Sequence, residues 1–149
     1  MGRQRRWGSM ADKQQETQQD RGYGRLEVYH KAHALGVAIH SLSLRLPRHE
    51  FHETGSQLRK ASKSISANIV EGYGRRQYRA EFVRFLTFAL ASCDETAEWL
   101  RYVQYCHPVL APEVAAVADQ AAEVGRNLNR LIQAVERGHQ VRKPPATGT

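Results

Sequence analysis

The chain has 149 residues, a formal net charge of +7 and a sequence pI of about 9.8. That length suits one domain with enough core to fold alone. The basic balance favours an anionic partner such as nucleic acid, although net charge speaks to solubility and steering rather than to fold. No apolar run is long enough to span a bilayer, and the N-terminus lacks an apolar signal core, so a cytoplasmic protein without membrane contact is expected. Cys93 and Cys106 are the only cysteines. On one helix they would lie roughly 20 Å apart, beyond the reach of a disulfide, so reduced thiols are expected.

Charge is unevenly placed. Residues 1–25 carry +3, residues 137–149 carry +3, and the whole of 26–136 carries only +1. Within that middle part, residues 59–84 hold seven bases against Glu71 and Glu81, a net +5, leaving −4 for the rest. The asymmetry is more informative than the total.

In chain order, residues 1–24 are polar, Gln-rich and basic, and read as a disordered tail. A first helix is expected from Leu26 to Leu46. Val28, Ala32, Leu35, Ile39, Leu42 and Leu46 alternate steps of four and three. Pro47 stops it. The linker Pro47 to Thr54 is polar except for Phe51. Thr54 and Gln57 have capping-box spacing, which predicts a second helix from about Gly55.

That second helix carries Leu58, Ala61, Ile65 and Ile69 on one apolar edge and Arg59, Lys60 and Lys63 on another face. Gly72 and Gly74 are expected to end it through a left-handed turn. Arg75, Arg76, Arg79 and Arg84 follow. A third helix is predicted from Gln77 to Cys106. Phe82, Leu86, Ala89, Cys93, Thr96, Leu100 and Val103 form its seam, and a second set, Phe85, Phe88, Trp99 and Tyr102, lies beside it. Pro112 suits the first turn of a fourth helix reaching Arg137. Its seam is Val114, Val117, Ala121, Val124, Leu128, Leu131 and Val135. Gly138 ends it, and 139–149 reads as a disordered tail.

These elements predict an all-α, antiparallel up-down four-helix bundle spanning 25–138, with left-handed, shallow crossings. No period-two run or hairpin signal supports β-structure.

Three blocks carry a family resemblance: Leu26-Glu27-Val28-Tyr29-His30-Lys31-Ala32, Ser56 to Gly74 including Asn68-Ile69-Val70-Glu71-Gly72, and Glu81-Phe82-Val83-Arg84-Phe85-Leu86. They resemble the bacterial four-helix-bundle family first known from reading frames in intervening sequences of large-subunit ribosomal RNA genes. That resemblance implies a small bundle that assembles as a ring, typically a homopentamer, with no established enzymatic activity. The family is similar to the accessory variability protein of diversity-generating retroelements, a basic pentamer that binds a reverse transcriptase and nucleic acid. The chain departs from the family at Ser66, where proline is common, and at Ala111, where a serine cap is common. A kink at the first position is therefore not assured, and the fourth helix should start less firmly.

The candidate nucleic-acid-binding residues are Arg59, Lys60, Lys63, Arg75, Arg76, Arg79 and Arg84, because repeated phosphate contacts release counterions. The bland alternative is a solvated face. Tyr73 and Tyr78 suit stacking on unpaired bases, but packing at the turn is the simpler role. Asn68 and Glu71 are expected to form a structural polar corner with an arginine. A lone carboxylate without a partner base carries no reaction, so no catalytic residue is assigned. His30 with His33, and His49 with His52, lack the third ligand of a metal motif, so neither metal nor cofactor is expected. Phe85, Phe88, Trp99 and Tyr102 are the candidate oligomer interface, since a bundle helix normally buries one stripe and this one shows nearly two. The expected function is a non-enzymatic homo-oligomer that binds RNA or DNA, as an accessory to a reverse transcriptase or to ribosomal RNA. The alternative is a scaffold that binds proteins only.

Overall fold

The computed structural model describes residues 22–138. The expected disordered segments at 1–21 and 139–149 lie outside them. Among the described residues there is helix and turn but no strand. The long helices are α1 (Glu27–Ser43), α3 (Thr54–Gly74), α4 (Arg79–Cys106) and α5 (Ala111–Glu136), with a short α2 (Arg48–His52) between the first two. Short 3-10 turns at Tyr23–Arg25 and Pro108–Leu110 precede α1 and α5.

Each long helix buries the stripe its spacing predicts. Leu35 and Ile39 of α1, Leu58, Ile65 and Ile69 of α3, Leu86 of α4 and Leu128 of α5 are wholly buried. Each such side chain contributes roughly 1.5–3 kcal/mol on leaving water. α1 packs on α3 and α5, and α4 packs on the same two, whereas the diagonal pairs share no comparable interface. With short connections, neighbouring helices run antiparallel, giving an up-down four-helix bundle. Thr96 sits inside the α4 seam because its hydroxyl donates to the Ser92 carbonyl at 2.7 Å, satisfying the buried polar atom.

The segment ends differ from expectation. α1 closes at Ser43, and turn bonds from Arg45 and Leu46 carry the chain onward so that Leu46 is still buried. The linker after Pro47 is helical: proline supplies a preset φ of −54° and its carbonyl accepts from the Phe51 N–H at 2.8 Å. The capping box does not form. Glu53 holds the N-cap position of α3 without a side-chain bond. Residues 22–24, expected in the tail, belong to the fold. Tyr23 packs edge-on against buried Tyr29 at 4.9 Å, next to Gly22, whose φ of 77° suits glycine alone.

Gly72 and Gly74 both lie inside α3 without positive φ, so the left-handed stop is not how α3 ends. Gly72 is buried where α3 crosses α4. A Cβ there would lie 2.9 Å from the Phe85 Cβ and 3.3 Å from the Phe82 ring. Gly74 faces open space. The positive-φ ending appears instead at Gly138, which closes α5 as expected.

Gly72→Ala should therefore lower unfolding stability by about 1–3 kcal/mol through overpacking. Gly74→Ala should leave stability unchanged or raised by up to about 1 kcal/mol. Urea unfolding of the two single variants beside wild type measures both.

Candidate nucleic-acid interface

The turn between α3 and α4 is a tight backbone reversal. Arg75 N–H bonds the Gly72 carbonyl at 3.0 Å, Arg76 the Tyr73 carbonyl at 3.2 Å, and Tyr78 the Arg75 carbonyl at 2.9 Å. Four exposed arginines crowd this end of the bundle. The Arg75 guanidinium lies 4.5 Å from the Phe85 ring centroid and donates to the Glu71 carbonyl at 3.1 Å. Arg76 lies 4.3 Å from the Tyr73 ring and donates to the Tyr73 carbonyl at 3.1 Å. Arg84 sits 5.4 Å over Phe88, with one exposed ion pair to Glu81 at 3.6 Å. Arg79 stands beside Gly138 at the end of α5.

Stacking on a ring occupies the face of a guanidinium and leaves its in-plane N–H donors available. Each arginine offers five such donors, and Arg75 and Arg76 each spend one on a backbone carbonyl. The tip is thus an array of positioned donors. Tyr73 is a packing residue, half-buried and edge-on to Phe82 at 6.3 Å. Tyr78 is 61% exposed.

The remaining bases of the +5 segment do not join this tip. Sixteen residues separate Arg59 from Arg75 on α3, roughly 24 Å along its axis. Arg59 is half-buried and committed inward. It lies 3.9 Å from the Phe51 ring centroid and donates to Ser43 Oγ at 3.0 Å and to the Phe51 carbonyl at 3.1 Å. It clamps α2 onto α1 and α3 rather than forming part of an open basic face. Lys60 is exposed, and Lys63 is turned toward α1, with Nζ 3.4 Å from His40 Nδ1.

The polar corner is also reassigned. Asn68 Nδ2 donates to the Ser64 carbonyl at 2.8 Å and to Ser64 Oγ at 3.0 Å, and Ser64 meets Ser92 Oγ of α4 at 2.9 Å. Glu71 is exposed, and only its backbone carbonyl is engaged by an arginine. Periodicity could not reveal this because Ser92 is far away in sequence.

The second aromatic set of α4 forms two pairs beside its buried seam. Phe85 and Phe88 meet edge-on at 5.7 Å, and Trp99 and Tyr102 lie tilted at 39° with centroids 5.9 Å apart. Phe88 and Tyr102 are 42% and 52% exposed, whereas Phe85 and Trp99 are half-buried. Trp99 Nε1 donates to Glu95 at 3.1 Å.

Other ionisable groups serve the scaffold. Glu50 meets His107 at 3.4 Å, linking α2 to the turn before α5. Hydrogen bonding from Thr54, then from His107, holds the Glu50 carboxyl below its usual range despite desolvation. Arg45 pairs with Glu113 at 2.6 Å and anchors the first turn of α5, where Pro112 also sits. Burial pushes the Cys93 thiol up to about 11, and its Sγ donates to the Ala121 carbonyl. Both cysteines are free. His30 bonds the Gly24 carbonyl at 2.6 Å instead of pairing with His33. Among the described residues there is no group of three potential metal ligands, and no helix long and apolar enough to cross a membrane.

Arg59→Ala should cost about 1–2 kcal/mol in urea unfolding, since it strips a half-buried hydrogen-bonded clamp. Arg76→Ala, at the exposed tip, should stay within about 0.5 kcal/mol of wild type.

The model of the 23S rRNA-intervening sequence protein family matches residues 24–130. A solved structure from Bacteroides thetaiotaomicron, a protein with unknown function from the S23 ribosomal protein family, is similar in fold. It has a TM-score of 0.64 and 23% identity, covering 71% of this chain and 95% of that one. At that identity the likeness bears on the fold alone. No curated protein matches the chain. With 107 of its 149 residues inside the family match, the chain belongs to the 23S rRNA-intervening sequence protein family.

Proposed function

We propose that this protein is a non-catalytic, self-associating accessory protein that binds structured RNA through the arginine tip of its bundle. The observation that carries the proposal is the seating of Arg75, Arg76 and Arg84 on aromatic rings at one end, with donors left for phosphate. Family membership supports an association with ribosomal RNA. A reverse-transcriptase complex is the narrower form of the same proposal and rests on the resemblance to retroelement accessory proteins. Self-association, in a ring of about five copies by the same resemblance, would repeat the tip and turn a modest charge into a large one. The half-exposed pairs on α4 are the surface assigned to that contact.

Wild type should bind a structured RNA hairpin with affinity that falls steeply as salt rises. Arg75→Ala/Arg76→Ala/Arg79→Ala should weaken binding at least tenfold. It should reduce the slope of log affinity on log salt by about two to three, one counterion or slightly less per lost phosphate contact. Circular dichroism of the triple variant should match wild type. Absence of binding by wild type at low salt would remove the RNA assignment, and a protein partner recovered after nuclease treatment would favour a scaffold instead.

Sedimentation velocity should show an oligomer for wild type and a smaller species for Phe88→Ser/Tyr102→Ser. Both substitutions fall at exposed positions and should leave helicity intact. A monomeric wild type at tens of micromolar or so would contradict self-association.

A further inference from the structure

Away from the arginine tip, α1 and α3 enclose a groove of about 410 Å³. Its floor is buried Gly36, where even a Cβ would come only to 3.9 Å of the Ser62 carbonyl, and its wall is Val37, 56% exposed. His33 and His40 stand two helical turns apart on α1, and Lys63 and Ser66 face them from α3. Lys63 Nζ is 3.4 Å from His40 Nδ1, so the ammonium and imidazole converge on one mouth. No carboxylate lines the groove. Nor does either wall supply one nearby: residues 28–49 and 54–70 contain no Asp or Glu. The chain's acids concentrate instead on α4 and α5, with Asp94, Glu95, Glu98, Asp119 and Glu123 among them.

That donor set disfavours a metal, because an ammonium repels a cation and two imidazoles are too few ligands. It suits an anion that carries more than one charge. The apolar floor and wall suit an uncharged ring attached to it, and the volume falls within the usual range of small-ligand sites. We propose that the α1–α3 groove binds a phosphomonoester of mononucleotide size, the phosphate held by Lys63 and His40 and the ring laid over Gly36 and Val37. This site is separate from the arginine tip and does not depend on RNA binding there.

The test is titration of the full chain with adenosine 5′-monophosphate, followed by amide chemical-shift mapping and calorimetry. Saturable binding with a dissociation constant of about 1 mM or tighter is expected, with shifts confined to α1 and α3 around His40 and Lys63. Adenosine lacking the phosphate should bind at least tenfold more weakly. His40→Ala/Lys63→Ala should weaken binding at least tenfold. Lys63→Gln, which keeps the side-chain length, should do most of the same should the double variant fail to fold. Arg75→Ala/Arg76→Ala/Arg79→Ala should leave it unchanged. Equal affinity for adenosine, shifts at Arg75–Arg84 instead of the groove, or no saturation in the millimolar range would each overturn the proposal.

Discussion

Everything at the α3–α4 tip of this bundle depends on how closely α3 can pass over α4. At Gly72 the two backbones approach until a single added carbon would collide with Phe85. That approach lets the chain reverse within the four residues 75–78, which places Arg75 and Arg76 next to the first turns of α4. It also brings the Phe85 ring under Arg75. A larger residue at 72 would push the helices apart and misplace the rings on which the arginines rest. The glycine matters for space between helices, not for backbone freedom.

The two ends of α3 show two uses of one residue type. Arg59 lies over Phe51 of α2 and Arg75 over Phe85 of α4, yet they do different work. Arg59 is half-buried, and two of its donors go to Ser43 Oγ and the Phe51 carbonyl, so it ties down α2. Arg75 is exposed, and one of its five donors goes to the Glu71 carbonyl. Among the four tip arginines, Arg84 has an ion pair, a 3.6 Å contact with Glu81. Ring stacking fixes a guanidinium without cancelling its charge. Meanwhile the acids gather on α4 and α5, leaving long acid-free stretches of α1 and α3. The bundle therefore presents charge by face and by end, although its helical part is nearly neutral in sum.

The helix cores were legible because steps of three and four repeat without interruption. Val114, Val117, Ala121, Val124, Leu128 and Val135 are all buried, as their spacing requires, and only Leu131 is left partly open. The ends were not legible, since they are decided by neighbours distant in sequence. Thr54 lies inside α3 with Glu53 at the uncapped N-cap position, and Tyr23 is held by Tyr29 although its surroundings read as tail. The basic stretch looked like one surface because a linear count of charge hides helix length. Extended over α3, Arg59 and Arg75 lie at opposite ends. Asn68 was read as part of a corner with Glu71 and an arginine, but its partners are Ser64 and, through it, Ser92.

The central claim is that ring-seated arginines at the α3–α4 tip, and not the clamped Arg59, meet the polyanion. Arginine-selective chemical modification, read residue by residue by mass spectrometry with and without a structured RNA, tests it directly. Protection of Arg75, Arg76, Arg79 and Arg84 on RNA addition, with Arg59 equally slow to react in both states, is the predicted result. Unchanged reactivity at all four tip arginines, while the RNA is demonstrably bound, would contradict it.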